Sequence, residues 1–215
     1  MTIDNRGCYN TTHRYYLSGK RFFDLLVAVG LLFFALPLVL LISLAIKITY
    51  GGAVIFKQKR LGEKGKPFTM YKFRSMVSNA DQLKTELAVF NMSNGPAFKM
   101  RDDPRITKFG KFLRRTSLDE IPQLWNVIKG QMSMVGPRPL IVSEVIKDAY
   151  PQFLLRLSVR PGLTCLWQVK GRSNIVDFNQ WLKLDLDYIE KRSFLFDIKL
   201  LLKTIPAVIF GLGAL

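Results

Sequence analysis

Residues 114–139, RRTSLDEIPQLWNVIKGQMSMVGPRP, are the segment around which the rest of the chain is organised. They place two adjacent carboxylates, Asp119 and Glu120, after a pair of arginines and before a proline-bracketed Arg138. A helix amino terminus attracts phosphate, but a carboxylate pair there would repel it unless a cation lay between them. The segment therefore predicts a phosphoryl-transfer site in which a divalent metal mediates between carboxylates and phosphate.

The same residues allow a purely structural interpretation. Ser117 and Glu120 have the spacing of a capping box, in which the serine hydroxyl accepts from the amide of residue 120 and the Glu120 carboxylate accepts from the Ser117 amide. In that case the acidic residues would only begin a helix. The neighbouring arginines favour the phosphoryl-transfer site, and the capping box stays the alternative.

The composition describes a folded and strongly basic protein. A length of 215 residues suits one domain with an appendage, and 49% apolar content is enough for a buried core. The excess of 32 Lys and Arg over 16 Asp and Glu implies a negatively charged partner: nucleic acid, an anionic membrane or a phosphorylated substrate. Composition does not choose among these three.

The cysteines and the histidine narrow the possible site types. Cys8 and Cys165 have neither metal-ligand spacing nor a disulfide framework, which favours a reducing compartment. His13 is the single histidine and lies in a polar stretch, so zinc and histidine-based catalysis are not expected.

Residues 25–46 contain no charged side chain. As a helix rising about 1.5 Å per residue they would extend roughly 33 Å, enough to cross a bilayer. A buried helix of a soluble protein is the less favoured alternative for an uncharged run of this length. No small-residue cleavage site follows, so a removable signal peptide is not expected.

Two features favour re-entry into one leaflet over a span. Pro37 would bend the helix near its middle and leave halves too short to cross singly. Basic residues flank both ends, with Lys20 and Arg21 before the run and Lys47 and Lys57 after it, so both ends favour the cytoplasmic side. Proline-kinked spans are common, and a span stays the alternative.

The following residues predict small elements. Strands at 53–56 and 68–73 would form a hairpin, and an amphipathic helix at 78–90 would place its apolar stripe in the core. A loop at 91–104, containing Asn94-Gly95-Pro96, would precede a basic amphipathic helix at 105–115 that lies on an anionic membrane. On the hairpin, Lys72 and Arg74 would share one face, unless this is simply a solvated edge strand.

The last third of the chain adds helices and one strand. The pattern predicts a helix at 143–157 broken at Pro151, a strand at 164–169, a helical stripe at 178–189 and an apolar interfacial segment from 194. The whole pattern predicts an α+β fold that is mostly helical, with a small β-hairpin and an N-terminal re-entrant or spanning helix.

Several short motifs, in this order, resemble the bacterial sugar transferases, the small polyprenyl-phosphate phosphoglycosyl transferases. The similarity runs from about Arg21 to Lys203. The motifs are YKFRSM with Lys72, FLRRTSLDE with Arg114 and the acidic pair, VGPRP with Arg138, Arg160-Pro161-Gly162, and the predicted strand ending in WQVKGR.

This resemblance implies a magnesium-dependent enzyme on the cytoplasmic face of the bacterial inner membrane. It would transfer a sugar 1-phosphate from a UDP-sugar to undecaprenyl phosphate and release UMP, as the first step of exopolysaccharide, O-antigen or glycoconjugate synthesis. Its expected partners are these two substrates and anionic membrane lipids, and not nucleic acid. The oligomeric state stays open, with a dimer among the options.

The resemblance also implies a domain plan and roles for individual residues. A polar tail (1–20) would precede a membrane-embedded helix broken near Pro37 (21–48) and a cytoplasmic catalytic domain (49–215). Asp119 would be the nucleophile that carries the phosphosugar as an acyl phosphate, and Asp119 and Glu120 would hold Mg²⁺. The expected substrate-binding residues are Lys72, Arg114, Arg138, Arg160, Asp185 and Asp197.

Elementary chemistry agrees with these roles, because a carboxylate nucleophile is ionised at neutral pH and needs no histidine to activate it. Phosphoryl transfer is served by a metal, positioning and cationic clamps. Two positions depart from the family pattern. Leu36 precedes Pro37 where relatives often have serine, and Cys165 stands where many have glycine.

Two other functions stay open on the sequence. A membrane-tethered basic module could bind nucleic acid or anionic lipid without catalysis, which explains the positive charge but leaves the acidic pair as a helix cap. A hydrolase of nucleotide sugars would release UMP without any lipid acceptor.

Overall fold

The computed structural model of the chain describes residues 11–92, 98, 100, 102–142, 154–171, 175 and 177–210. The fold is α+β and mostly helical, as the sequence predicts. The Asn94-Gly95-Pro96 turn, Arg172 and residues 143–153 of the predicted helix at 143–157 lie outside the described residues. The helices are α1 (Thr11–Tyr50), α2 (Ala80–Glu86), α3 (Lys108–Arg115), α4 (Gln123–Ile128), α5 (Leu166–Lys170), α6 (Phe178–Lys191) and α7 (Phe194–Ile209), and the strands are β1 (Ile55–Leu61), β2 (Pro67–Phe73), β3 (Ser133–Val135) and β4 (Gly162–Thr164).

The long helix α1 dominates the N-terminal part of the described chain. It begins at Thr11, so residues 11–20, which the sequence assigns to a polar tail, are helical. Pro37 lies inside α1 without ending it. The part Ser18–Tyr50 is long and apolar enough to cross a membrane, and 11% of its most apolar window is buried in the protein. Its apolar surface is therefore mostly uncovered.

Both ends of α1 pack against the rest of the protein. Ala28 is fully buried in the main hydrophobic core, together with residues of α4, β2 and α6. Near the other end, Ile42 and Ile46 are buried in a second cluster with Phe73 and Leu113. Between these contacts the helix exposes large apolar side chains: Leu31, Phe33, Phe34, Leu36, Leu40 and Leu41.

Strands β1 and β2 form the predicted antiparallel hairpin. The pairs run from Ile55 opposite Phe73 to Leu61 opposite Pro67, so the first strand begins two residues later and is longer than predicted. Phe68, Met70 and Phe73 are buried, and Lys72 lies between the last two in sequence. The hairpin therefore fixes the backbone of Lys72 directly against the core.

Strands β3 and β4 form a short parallel pair in which all three residues of β3 are buried, with Ser133 opposite Gly162 and Val135 opposite Thr164. The two chains approach so closely that a Cβ on Gly162 would lie 2.0 Å from the amide nitrogen of Gly136. Only glycine fits at this contact. The pair anchors the loop after β3, which carries Arg138.

The predicted strand at 164–169 is wrong in its position and its length. Pairing ends at Thr164, Cys165 is still extended, and residues 166–170 form α5. Leu166 and Trp167 are both buried, so tertiary packing of these large side chains overrides the strand preference of Trp167 and Val169.

The predicted core stripe of residues 78–90 is also wrong. The segment is helical, as α2 followed by a 3₁₀ turn at Leu87–Phe90, but it buries no residue. Val89 is 84% exposed and Phe90 58% exposed. Amphipathic spacing alone did not distinguish a core face from an uncovered apolar face.

Candidate active site

The adjacent carboxylates Asp119 and Glu120 lie on a 3₁₀ turn, Leu118–Glu120, between α3 and α4. Ser117 precedes this turn with a left-handed φ of 56°, and its side chain makes no capping hydrogen bond. The capping-box interpretation is therefore wrong. The left-handed residue reverses the chain, so that the acidic pair points to β2 instead of continuing α3.

Lys72 from β2 joins the two carboxylates. Its Nζ donates to Glu120 Oε1 at 2.6 Å and lies 3.9 Å from Asp119 Oδ2. The Arg138 guanidinium is 3.6 Å from the same Glu120 oxygen. Two cations from separate elements therefore meet the acidic pair, and the sequence analysis named all four of these residues.

Burial sets the electrostatics of this cluster. Asp119 is 7% exposed, and burial raises the pKa of its carboxyl while the Lys72 cation opposes that rise. Burial likewise lowers the pKa of Lys72, and the Glu120 and Asp119 carboxylates oppose it. In each group the neighbouring opposite charge therefore opposes the effect of burial. The cluster therefore has little water to compete with an incoming phosphate.

Arg114 approaches from the end of α3. Its Nε donates to Ser75 Oγ at 2.9 Å, and burial lowers the pKa of its guanidinium while Asp119 opposes that effect. Ser75 is itself 7% exposed. The sequence analysis did not identify Ser75, because nothing in its local pattern shows that it faces Arg114.

Two further arginines hold the loop that carries Arg138. Arg156 Nη2 donates to the Arg138 carbonyl at 3.1 Å, and Arg60 Nη1 donates to the Pro139 carbonyl at 3.0 Å. The Arg138 guanidinium lies 5.9 Å from the centre of the Trp167 ring. Arg60 and Arg156 hold this loop through hydrogen bonds to its backbone carbonyls. Their role in the site was therefore not predictable from the sequence, which showed only a general excess of basic residues.

Gln123, at the start of α4, lines the same site together with Lys72 and Arg138. It is 3% exposed, and its Nε2 has no hydrogen-bond partner in the described structure. An unsatisfied buried amide donor is uncommon and suits a phosphate oxygen. Gln123 was not predicted from the sequence.

The other three predicted residues have different surroundings. Asp185 is fully buried and forms a 2.6 Å ion pair with Arg156, and burial raises the pKa of its carboxyl to about 6 although Arg156 opposes the rise. Arg160 is 3.4 Å from Glu63, and both side chains are 40% exposed. Asp197 is bound to Lys20 at 2.7 Å and to the Tyr188 hydroxyl at 2.8 Å. Asp185 is thus linked to the Arg138 loop through Arg156, whereas Asp197 connects α7 to α1.

The donor set agrees with a magnesium ion held mainly by substrate. Mg²⁺ prefers oxygen ligands and is often bound through one or two carboxylates together with phosphates and water. Asp119 and Glu120 would supply those carboxylates. Among the described residues no group of three or more His, Cys, Asp or Glu side chains could hold a metal.

The chain matches the family model described as "Bacterial sugar transferase" over residues 15–211. It is 48% identical to the galactosyl transferase CpsE of Streptococcus agalactiae over 93% of its length, which is 44% of that protein. It is 41% identical to the exopolysaccharide production protein ExoY of Sinorhizobium fredii, covering 91% of this chain and 87% of ExoY.

A third relative is the undecaprenyl-phosphate galactose phosphotransferase of Salmonella typhimurium, with 42% identity over 91% of this chain and 41% of that protein. The chain therefore spans less than half of two of these relatives and most of ExoY. Because the family model covers nearly the whole chain, this protein belongs to the bacterial sugar transferase family.

Proposed function

We propose that this protein transfers a sugar 1-phosphate from a UDP-sugar to undecaprenyl phosphate at a membrane surface and releases UMP. The observation that carries the proposal is the buried Asp119 carboxylate, next to Glu120 and within 3.9 Å of Lys72. Membership of a sugar transferase family and the name of the Salmonella relative support the substrate class. The reaction would begin exopolysaccharide or related glycan synthesis.

The proposed reaction has two displacements at one phosphorus atom. An Asp119 carboxylate oxygen attacks the sugar-linked phosphorus of the donor, the bond to the bridging oxygen breaks, and UMP leaves with that electron pair. A phosphate oxygen of undecaprenyl phosphate then attacks the same phosphorus. The bond to Asp119 breaks, which frees the carboxylate and leaves the sugar on a lipid diphosphate.

The residues around Asp119 are placed to serve charge that develops on the phosphoryl oxygens. Lys72, Arg114 and Arg138 come from three different elements and require no large movement to meet an anion there. Lys72 would exchange its bond with Glu120 for the substrate as the donor enters. Bound Mg²⁺ would neutralise phosphate charge, and Asp119 and Glu120 would hold it.

The membrane placement follows from α1. Its two ends pack on the same folded domain, through Ala28 and through Ile46, while the stretch between them is exposed and apolar. We infer that α1 enters one leaflet and returns, with the domain on the cytoplasmic face of the bacterial inner membrane. Anionic lipids would be the surrounding partners for the basic surface.

The non-catalytic binding module is the weaker candidate. It required Asp119 and Glu120 to act as a helix cap, and Ser117 makes no such cap. The family to which the chain belongs is a family of transferases. A nucleotide-sugar hydrolase differs from the proposal only in its acceptor, which the assay below distinguishes.

Mass spectrometry of the full-length protein incubated with donor alone tests the covalent step. We expect a mass increase equal to one phosphosugar, located on the peptide that contains Asp119, and its loss when undecaprenyl phosphate is added. Asp119→Asn should form no adduct and lose turnover by several orders of magnitude. Catalysis without any adduct, or UMP release that is independent of the lipid, would contradict the proposal.

A further inference from the structure

A second cavity lies between α5, α6 and α7, apart from the carboxylate site. Its volume is about 240 Å³. Leu166, Phe196 and Leu200 form its apolar wall, and Leu200 is 2% exposed. Four lysines and one aspartate also line the cavity: Lys170, Lys191, Lys199, Lys203 and Asp187.

The four lysines have no acidic partners. Within the described part of the chain none of them takes part in an ion pair or a side-chain hydrogen bond, and Asp187 is the single acid that lines the cavity. Elsewhere in the same structure lysines do find carboxylates, for example Lys20 with Asp197 at 2.7 Å and Lys111 with Asp102 at 2.8 Å. Unpaired like charges around one cavity repel each other and attract an anion.

The size and the apolar wall limit what that anion can be. Pockets for drug-sized ligands begin at about 300 Å³, so this cavity is too small for a nucleotide sugar. A single phosphate group with a few carbon atoms attached would fit. The wall of Leu166, Phe196 and Leu200 favours a ligand that is partly apolar over a bare ion.

The position of α7 indicates the source of such a ligand. Leu195, Leu202 and Ile205 are 78%, 61% and 53% exposed on this helix, which also carries the cavity residues Lys199 and Lys203. The start of α7 also packs on α1, where the rings of Phe23 and Phe194 are 5.1 Å apart. Cations and an uncovered apolar surface therefore share one helix beside the membrane helix, as in helices that lie in a lipid interface.

We propose that this cavity binds the phosphate headgroup of an anionic phospholipid, whose acyl chains lie against the exposed apolar residues of α7. The proposal rests on the membrane placement of α1 and not on the chemistry at Asp119. Loss of this lipid site should leave the covalent adduct at Asp119 intact, so the two proposals fail separately.

The test is native mass spectrometry of the full chain, delipidated in detergent and titrated with phosphatidylglycerol or with phosphatidylcholine. We expect one phosphatidylglycerol per chain, bound at least about tenfold more tightly than phosphatidylcholine, because each lysine near an anionic headgroup adds a several-fold factor. Millimolar inorganic phosphate should not displace it.

Three sets of variants locate the site. Replacing Lys170, Lys191, Lys199 and Lys203 by glutamine should abolish the preference, and replacing the same four by arginine should keep it. The matched control removes the same charge at four other exposed lysines, Lys64, Lys66, Lys84 and Lys183, and should also keep the preference.

Equal binding of the two lipids would overturn the proposal. The proposal would also fail if the control variant lost the preference for phosphatidylglycerol as completely as the cavity variant, since the lipid would then be attracted by the basic surface in general. Displacement of the lipid by inorganic phosphate would show that the cavity binds a soluble ligand instead. Circular dichroism of each glutamine variant checks that the fold is retained. The four arginine substitutions keep the test valid if the glutamine variant fails to fold.

Discussion

At the scale of single residues, two amide side chains on α4 show how a binding role differs from a structural one. Asn126 is fully buried and fully bonded, donating to Thr69 O at 2.7 Å and to Gln131 Oε1 at 2.8 Å while it accepts from the Tyr71 amide at 3.1 Å. Gln123 is as buried, but its Nε2 has no partner in the described structure. The unused donor suits a phosphate oxygen of the proposed substrate.

Gln123→Leu should therefore lower kcat/KM for the sugar donor by roughly 10- to 100-fold, since a hydrogen bond to a charged group contributes about 1.5–3 kcal/mol. The melting temperature should be unchanged or slightly higher, because the substitution removes an unsatisfied buried donor. UMP release and thermal unfolding in detergent measure the two effects.

Asn126→Leu is the contrasting variant and should mainly destabilise the fold. A Gln123→Leu protein with normal turnover would remove Gln123 from the site.

Asp185 gives a prediction about pH. Burial raises the pKa of its carboxyl from 3.8 to about 6, so the folded protein binds more protons than the unfolded chain between these values. The resulting stability is present at low pH and is lost as pH rises through about 6, by about 3 kcal/mol in total. Asp185→Asn should lack this component. The unfolding free energy of Asp185→Asn minus that of the wild type should therefore become more positive from pH 4 to pH 7, because only the wild type loses stability over that range. A constant difference would contradict the burial argument.

The sequence predicted the charged residues of the site better than the residues that hold them. Lys72, Asp119, Glu120 and Arg138 lie in short motifs and meet in the structure. The contacts of Ser75 and Arg156, and the place of Gln123 beside Lys72 and Arg138, join segments that are distant in sequence, so no local pattern assigns these residues to the site, although Ser75 lies within YKFRSM. For Asp197 the resemblance to the family implied a substrate-binding role, and in the structure its carboxylate is bonded to Lys20 and to the Tyr188 hydroxyl.

At the scale of elements, the parallel pair β3–β4 positions the loop that carries Arg138. Gly162 faces Gly136, and a Cβ at Gly162 would lie 2.0 Å from the Gly136 nitrogen, which is backbone and cannot rotate away. Gly162→Ala should destabilise the protein by about 3 kcal/mol or more and should reduce turnover together with stability. Thermal unfolding and UMP release are the measurements.

Gly19→Ala provides the control for that substitution, because a Cβ at Gly19 meets nothing within 4 Å and the residue lies inside α1. It should be neutral or stabilising by about 0.5–1 kcal/mol. If Gly162→Ala were as harmless as Gly19→Ala, the close contact between the two strands would not be what positions the Arg138 loop.

Element type was predictable where local signals and packing agree. The hairpin was expected from its turn residues, and α6 was expected from its apolar stripe; in the structure Asp177 caps α6 by accepting from the Asn179 and Gln180 amides. Residues 166–170 were expected as strand because Trp167 and Val169 favour strands, yet they bury Leu166 and Trp167 as a helix. The error arises because the pairing partner β3 has only three residues, which no feature of residues 164–169 reveals.

At the scale of the whole molecule, α1 is bonded to the folded domain near both of its ends. Near its start, Arg21 donates to the Val127 and Ile128 carbonyls at 2.7 and 2.9 Å. At its end, the Tyr50 hydroxyl accepts from the Phe109 amide at 3.2 Å. The two ends are thus fastened to one body, and a bilayer between them would have to separate contacts that the fold makes together.

Topology in cells tests this argument. In a protein whose Cys8 is replaced by serine, single cysteines at Ser18, Phe34 and Lys64 should all resist a membrane-impermeant maleimide in intact spheroplasts. After permeabilisation, Ser18→Cys and Lys64→Cys should react, whereas Phe34→Cys should stay unreactive because the 80% of its side chain left exposed by the protein would lie in lipid. Native Cys165 is 1% exposed and contributes little background.

Labelling of Ser18→Cys from outside intact spheroplasts while Lys64→Cys stays protected would mean that α1 spans the membrane. Reaction of Phe34→Cys would mean that α1 does not enter the membrane.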